Sequence, residues 1–203
     1  MPIDSTARRV LALFARLLDY PAPGLDDTAH ECAALAADHS PEAAALLRGF
    51  QDFVEATPLG QLEEIYTGVF ELNATFYPYV GYHLFGETYK RSIFLLELKQ
   101  RYAAHGFATG SELADHIAVL LRFVSICTDA ALGEEILRDA LLPALEKMCG
   151  GKEENDLADE DALVPSRGRT AYQQLLRALR LVAPSFAPEI SAPTQLQPAS
   201  VNS

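Results

Sequence analysis

The sequence predicts an all-α protein folded as a single-domain helical bundle, and three observations predict it. Nearly every long segment repeats its apolar residues at helical spacing. No run of alternating β-branched residues is long enough to require a strand. With 203 residues, 49% of them hydrophobic and 22% charged, the chain can bury one sizeable core.

The first helix is expected from Thr6 to Leu18, where Val10, Leu13, Phe14, Leu17 and Leu18 share one face. The cluster Tyr20-Pro21-Ala22-Pro23-Gly24 ends it. An Ala-rich second helix follows from about Leu25 to Ala37. Ser40-Pro41 and Thr57-Pro58 each put a capping hydroxyl before a proline at the first helical position, so a helix should start at each. Their apolar stripes are Leu46, Leu47, Phe50, Phe53 and Val54, then Leu62, Ile65, Tyr66, Val69 and Phe70.

Glu87 to His105 reads as a helix carrying Tyr89, Ile93, Leu96 and Leu98 among charges, closed by Gly106 in the left-handed conformation. Ser111 is expected to cap the next helix, whose stripe is Leu113, Ile117, Leu120, Leu121 and Val124. A further helix from about Leu132 meets Pro143, which should kink or restart it, and Gly150-Gly151 stops it. Residues 152–161 are dominated by acids and read as a solvated, mobile loop. The last helix is expected near Gly168 to Val182, with Tyr172, Leu175, Leu176 and Leu179 inward. The helical domain therefore spans 1–183, and 184–203, rich in Pro, Ser, Ala and Gln, reads as a disordered tail.

Sixteen basic against twenty-eight acidic side chains give a formal net charge of −12, which repels a polyphosphate backbone and makes nucleic acid a poor partner. No apolar run reaches the roughly 20 residues needed to cross a bilayer, and the opening Met1-Pro2-Ile3-Asp4 lacks the order of a secretory signal. A cytoplasmic protein without direct membrane insertion is the expectation. Cys32, Cys127 and Cys149 are widely spaced, which fits small buried hydrophobes better than a disulfide framework or zinc site.

Five aromatic rings fall within ten residues at Phe76, Tyr77, Tyr79, Tyr82 and Phe85. Pro78, Gly81 and Gly86 argue against a regular helix there, so the rings are expected at a surface or groove lining, although burial in a core would explain them as well. Glu112 and His116 stand four apart and would share a helix face, yet two ligands on one helix are a weak metal signal. There is no Gly-rich phosphate loop, no His-Glu-x-x-His and no Gly-x-Ser-x-Gly, so neither catalysis nor a bound cofactor is expected. A competing expectation is a small metal- or nucleotide-handling enzyme around Glu112, Asp115 and His116. Another is a helical subunit of a stable complex.

Leu62-Glu63-Glu64-Ile65-Tyr66-Thr67-Gly68-Val69-Phe70, Tyr77, His83-Leu84-Phe85-Gly86-Glu87, Lys90-Arg91, Tyr102, Gly106-Phe107, Glu112-Leu113-Ala114-Asp115-His116-Ile117, Leu121 and Phe123 stand in an order that resembles the NarJ-type branch of the TorD/DmsD/NarJ superfamily. These are the nitrate reductase delta subunits, or molybdenum cofactor assembly chaperones. The chain departs from the family pattern at Ala114 and Ala118, where proline is usual or frequent, and at Arg122, where Glu before Phe is common. The resemblance implies a non-catalytic chaperone, monomeric or weakly dimeric. Its client would be the apo catalytic subunit of a molybdenum oxidoreductase, most naturally a respiratory nitrate reductase, bound through an N-terminal segment while cofactor is inserted. A variant of that reading gives it another DMSO-reductase-family client with a twin-arginine leader. The residues expected to touch the client are Tyr77, Tyr79, Tyr82, His83, Phe85, Glu87, Asp115 and His116, with Tyr66 and Phe70 supporting from the core and Arg91 pairing with an acid.

Overall fold

A computed structural model describes residues 3–72, 76–150 and 166–186. The helices are α1 (Ser5–Leu17), α2 (Leu25–Ala36), α3 (Pro41–Glu55), α4 (Leu59–Thr67), α5 (Val80–Phe85), α6 (Tyr89–Ala104), α7 (Ile117–Ile126), α8 (Ala130–Glu135), α9 (Leu142–Cys149) and α10 (Ser166–Val182). Among the described residues the only β-type pairing is one isolated antiparallel bridge, Tyr79 with His116.

Local chemistry explains most of the helix starts. Asp4, Ser40 and Asp129 each accept a hydrogen bond from the backbone N–H three residues on, opening α1, α3 and α8. Gly106 takes φ 64° directly after α6, as its position predicts. Pro143 has no N–H to offer the preceding turn; the chain runs as a π-helix over Ile136–Leu141, and α9 begins with the proline in its first turn. A second π-helical stretch, Gly68–Leu72, continues α4.

Helix α1 packs between α2 and α7, and α3 lies between α2 and α10. Their apolar stripes meet in one core that includes Leu13, Phe14, Leu17, Leu47, Phe50, Leu120 and Leu176, each buried to within 1%. Each such side chain contributes about 1.5–3 kcal/mol through removal from water. Tyr172 is ringed by Phe50, Tyr66 and Phe70, at centroid distances of 5.4, 6.0 and 5.1 Å. Tyr66 and Phe70 are buried, as expected of core supports. Close approach of α10 to α4 depends on Gly168, where a Cβ would fall 2.5 Å from Ile65 Cγ2. Arg8 ties α1 to the end of α7, donating to the carbonyls of Ile3, Ser125 and Cys127. Cys32 and Cys127 are buried and Cys149 half-buried, all as free thiols.

Several sequence expectations are corrected. Thr57 does not cap α4; its hydroxyl donates to Phe53 O at 2.6 Å and closes α3, while Pro58 precedes α4. Ser111 is exposed and caps nothing: the chain from Phe107 to Asp115 is a loop, and the following helix begins at Ile117 with His116 as its cap. Glu112 and His116 therefore do not share a helix face. The aromatic stretch does contain a helix, α5, with Gly81 inside it. At the C-terminus, Ala183–Phe186 form a 3₁₀ turn rather than a disordered start, and Phe186 is buried against His39 with ring centroids 5.0 Å apart. The acidic stretch 152–161 and the tail beyond residue 186 lie outside the described residues.

Candidate functional site: an apolar groove against α5

The aromatic segment is held by a short zipper to the start of α7. Val80 N donates to Asp115 O and Ile117 N to Pro78 O, both at 2.8 Å. This pairing places Tyr79 beside His116, with ring centroids 5.7 Å apart and edge to face. Asp115 lies beneath, wholly buried, with Arg91 Nε of α6 2.9 Å from its Oδ2. The Arg91 guanidinium also sits 5.3 Å from the Tyr79 ring centroid and 6.0 Å from that of Tyr82, within cation–π range. The acid expected to pair with Arg91 is therefore Asp115.

Gly81 makes this junction possible. A Cβ there would stand 2.7 Å from Asp115 Oδ2 and 2.9 Å from Phe94 Cδ1, so any side chain would push α5 away from the ion pair and from α6.

The eight residues expected at a contact surface divide into two groups. Asp115 and His116 are 0% and 3% exposed, with both Asp115 carboxylate oxygens turned to Arg91 and His116 Nδ1 turned to a backbone amide, so in this fold they act as struts and offer little surface to an incoming peptide. His116 Nδ1 accepts from Ala118 N at 3.2 Å, and burial pushes its imidazole below the usual histidine range. Proline at 118, frequent in the resembled pattern, has no N–H to make that bond; Ala118 supplies it. Ala114, the other departure, is buried, and its carbonyl accepts from Tyr102 Oη at 2.9 Å. The remaining six residues stay on or near the surface. Tyr77 and Glu87 are exposed, and Tyr79, Tyr82, His83 and Phe85 are half-buried. Tyr77 packs against Tyr82 at 4.6 Å, while His83 Nε2 donates to Tyr77 O at 2.8 Å. Lys147 of α9 donates to His83 O at 2.8 Å, pinning the far side of α5.

Of these six, only Phe85 lines the groove that the fold builds next to α5. A cleft of about 200 Å³ lies between α5, α6 and the π-helical stretch, lined by Leu84, Phe85, Phe94, Leu98, Ile136 and Ala140 with Glu97, Arg101, Glu135 and Asp139 at its polar edge. Phe85 and Phe94 pack at 5.5 Å in its wall. Arg101 pairs with Glu135 at 2.8 Å and Arg138 with Asp139 at 2.9 Å, the latter hydrogen bond holding the Asp139 carboxyl below its ordinary range. Glu97 forms no ion pair among the described residues. The floor is apolar and the free charge on the rim is negative, which suits an apolar side chain accompanied by a cation. Sequence reading missed Phe94, Glu97, Arg101, Glu135, Ile136 and Asp139. The 97/101 pair, one turn apart, is a local signal; its meeting with 135–140 is not.

Glu112, Asp115 and His116 do not converge as a ligand set, because the Asp115 carboxylate is turned to Arg91 and His116 Nδ1 to a backbone amide. Among the described residues no three His, Cys, Asp or Glu side chains group closely enough to hold a metal ion. No helix of the described residues is long and apolar enough to cross a membrane.

Comparison with known proteins follows the same segment of chain. No curated protein matches this sequence. Among solved structures, one similar chain is described as a candidate redox enzyme maturation protein from Archaeoglobus fulgidus, with 22% sequence identity, 85% of this chain and 91% of that chain covered, and a TM-score of 0.49. The model of the family described as nitrate reductase delta subunit matches residues 36–151, a span that holds α3 to α9, the zipper and the whole groove. By that match, over more than half its length, this chain belongs to the nitrate reductase delta subunit family.

Proposed function

We propose that this protein is a maturation chaperone for a molybdenum oxidoreductase, most naturally a respiratory nitrate reductase. It binds the apo catalytic subunit through an N-terminal segment and keeps it receptive while cofactor is inserted, before the subunit docks at the membrane. The chaperone is cytoplasmic in this reading and carries no catalytic residue of its own. Family membership supports the class of client. The observation that carries the binding mode is the groove of Leu84, Phe85, Phe94, Leu98 and Ile136 with the unpaired Glu97 at its edge.

The groove suits one or two apolar side chains of an amphipathic segment, and Glu97 suits a neighbouring Lys or Arg. The net charge of −12 steers a basic segment toward the protein from a distance. Affinity near micromolar, about 8 kcal/mol, is enough for a partner that must be released. The test is calorimetric titration of the purified protein with peptides from the N-terminus of the catalytic subunit. Binding that saturates at one site, weakens with salt and is lost with Phe85→Ala supports the reading. Binding indifferent to Phe85 and to salt places the client elsewhere.

A further inference from the structure

A second cleft, larger than the groove, opens on another part of the molecule. It holds about 450 Å³ between Tyr20 in the α1–α2 connection, Gly60, Glu63, Glu64 and Thr67 of α4, and Leu72 at the end of the π-helical stretch that continues α4. None of these residues lines the groove against α5. Tyr20 and Leu72 are 50% and 68% exposed. Single exposed apolar residues need no explanation, but two large ones on the walls of one cleft form a patch. Behind the cleft, Tyr20 meets Tyr66 edge to face at 5.6 Å, and Tyr66 is buried against Phe70 and Tyr172, so the Tyr20 ring stands on the packed core. A Cβ at Gly60 would meet nothing within 4 Å, which leaves that side of the cleft open to an incoming chain.

The charge that lines this cleft is of one sign. Glu63 and Glu64 form no ion pair among the described residues, and no cation lines the cleft. The cations of the neighbouring elements are engaged elsewhere. Arg16 acts on Glu31 of α2, Arg122 pairs with Asp19 at 3.3 Å and sits over the Phe107 ring, and Arg167 sits over the Phe53 ring. Arg91 is held by Asp115, and Arg169 is buried. Further carboxylates stand close behind. Burial pushes the Tyr66 phenol above its ordinary range, and the carboxylates of Asp19, Glu112 and Glu71 push it further. Glu71 and Glu112 are exposed and, like Glu63 and Glu64, unpaired among the described residues.

We infer that this cleft is a docking surface for a basic segment of a partner protein, with an arginine on the Tyr20 ring beside Glu63 and Glu64 and an adjoining aliphatic side chain over Leu72. A guanidinium suits these walls because it stacks on an aromatic face while it donates to carboxylates, and its stem lies along apolar surface. The other occupants at hand fit less well. The chain's own C-terminal residues 187–203 contain no Lys or Arg. A second copy brings two bodies of charge −12 together, and an anionic lipid surface is repelled by the same charge. The two openings differ in what they read. In the groove an apolar side chain is the anchor and the cation stands at the rim; here the cation itself is the anchor.

The test uses two short labelled peptides that differ at one position beside a leucine, where one carries arginine and the other citrulline, its uncharged isostere. Both are titrated against the full chain by fluorescence anisotropy. The arginine peptide is expected to bind about tenfold more tightly. Glu63→Gln with Glu64→Gln should abolish that preference, and Tyr20→Ala should weaken the arginine peptide about fivefold, each with the helical circular dichroism unchanged. Asp38→Asn with Glu42→Gln removes the same charge from exposed positions around the start of α3 and should leave the preference intact, as should Phe85→Ala in the groove. Equal binding of the two peptides, or absence of binding, overturns the inference. So does a loss of preference as large with Asp38 and Glu42 changed as with Glu63 and Glu64 changed, which would show attraction by net charge alone. Binding that follows Phe85 instead of Glu63 and Glu64, or a dimer in sedimentation that the Glu63, Glu64 variant abolishes, overturns it as well.

Discussion

Arg91 Nε lies 2.9 Å from Asp115 Oδ2, and this contact joins α6 to the loop before α7 beneath the Tyr79 ring. The carboxylate is fully buried and the guanidinium side chain 17% exposed, so the pair holds the groove wall from behind instead of offering a charge to solvent.

Removing one member of a buried pair leaves the other uncompensated, which costs about 3–5 kcal/mol. Asp115→Ala is therefore expected to lower the stability measured in urea by about 3 kcal/mol, and Asp115→Ala with His116→Ala by more. A double variant that unfolds at the wild-type denaturant midpoint contradicts the assignment of these residues as struts.

Gly81→Ala puts a methyl 2.7 Å from Asp115 Oδ2 and 2.9 Å from Phe94 Cδ1. Overpacking of this kind costs about 1–3 kcal/mol. Thermal unfolding should show a lowered midpoint, and because the same methyl presses on a groove-lining ring, client-peptide affinity should fall too. An unchanged midpoint would mean that α5 can shift freely.

Gly168→Ala meets Ile65 Cγ2 at 2.5 Å. Ile65→Ala removes that atom, so the double variant should be more stable than the sum of the two single losses predicts, by about 1 kcal/mol or more in a double-mutant cycle. Strict additivity would show that α4 and α10 separate without strain.

Burial depresses the imidazoles of His116 and His83 below the usual range, with the Tyr77 carbonyl opposing the shift at His83. A histidine with a folded pKa below its unfolded value near 6.5 binds fewer protons when folded, so its contribution is fully present above about pH 6.5 and is lost as pH falls toward the folded value. Stability should therefore decline from pH 7 to pH 5. His116→Asn, which keeps a capping acceptor without the titrating ring, should flatten part of that slope. A slope identical to wild type would move the pH dependence to other groups.

Phe85→Ala and Glu97→Lys should each weaken client-peptide binding about tenfold, 1.4 kcal/mol; Glu97→Lys, exposed at the rim, should leave the unfolding midpoint within about a degree or two, and Phe85→Ala, which gives up its packing on Phe94 in the groove wall, should lower it modestly while the protein stays folded. Loss of binding only together with loss of fold would remove the groove from the account.

Helical spacing made the body of the bundle legible, because Val10, Leu13, Phe14 and Leu17, or Leu175, Leu176 and Leu179, repeat at a period only a helix uses. What misled was local chemistry with two readings. Gly81 reads as a helix breaker, yet it is the residue that lets α5 close on Asp115 and Phe94. Thr57 reads as a cap for the helix ahead, yet it bonds back to the helix behind. Asp115 and His116 read as surface polar groups because nothing in their own segment announces Arg91, 24 residues earlier. The groove was half visible at Phe85. Its other wall, at 135–140, is brought there by packing of α5 and α7 against the π-helical stretch, which no local pattern encodes.

The central claim is tested most directly by mixing the purified protein with the catalytic subunit of a nitrate reductase in cofactor-free and in mature form, and measuring complex formation by size-exclusion chromatography with molybdenum assay. The account predicts a complex with the cofactor-free subunit that dissociates as molybdenum is incorporated and that Phe85→Ala weakens. A complex of fixed ratio with the mature, molybdenum-loaded subunit, or none with either form, would contradict it.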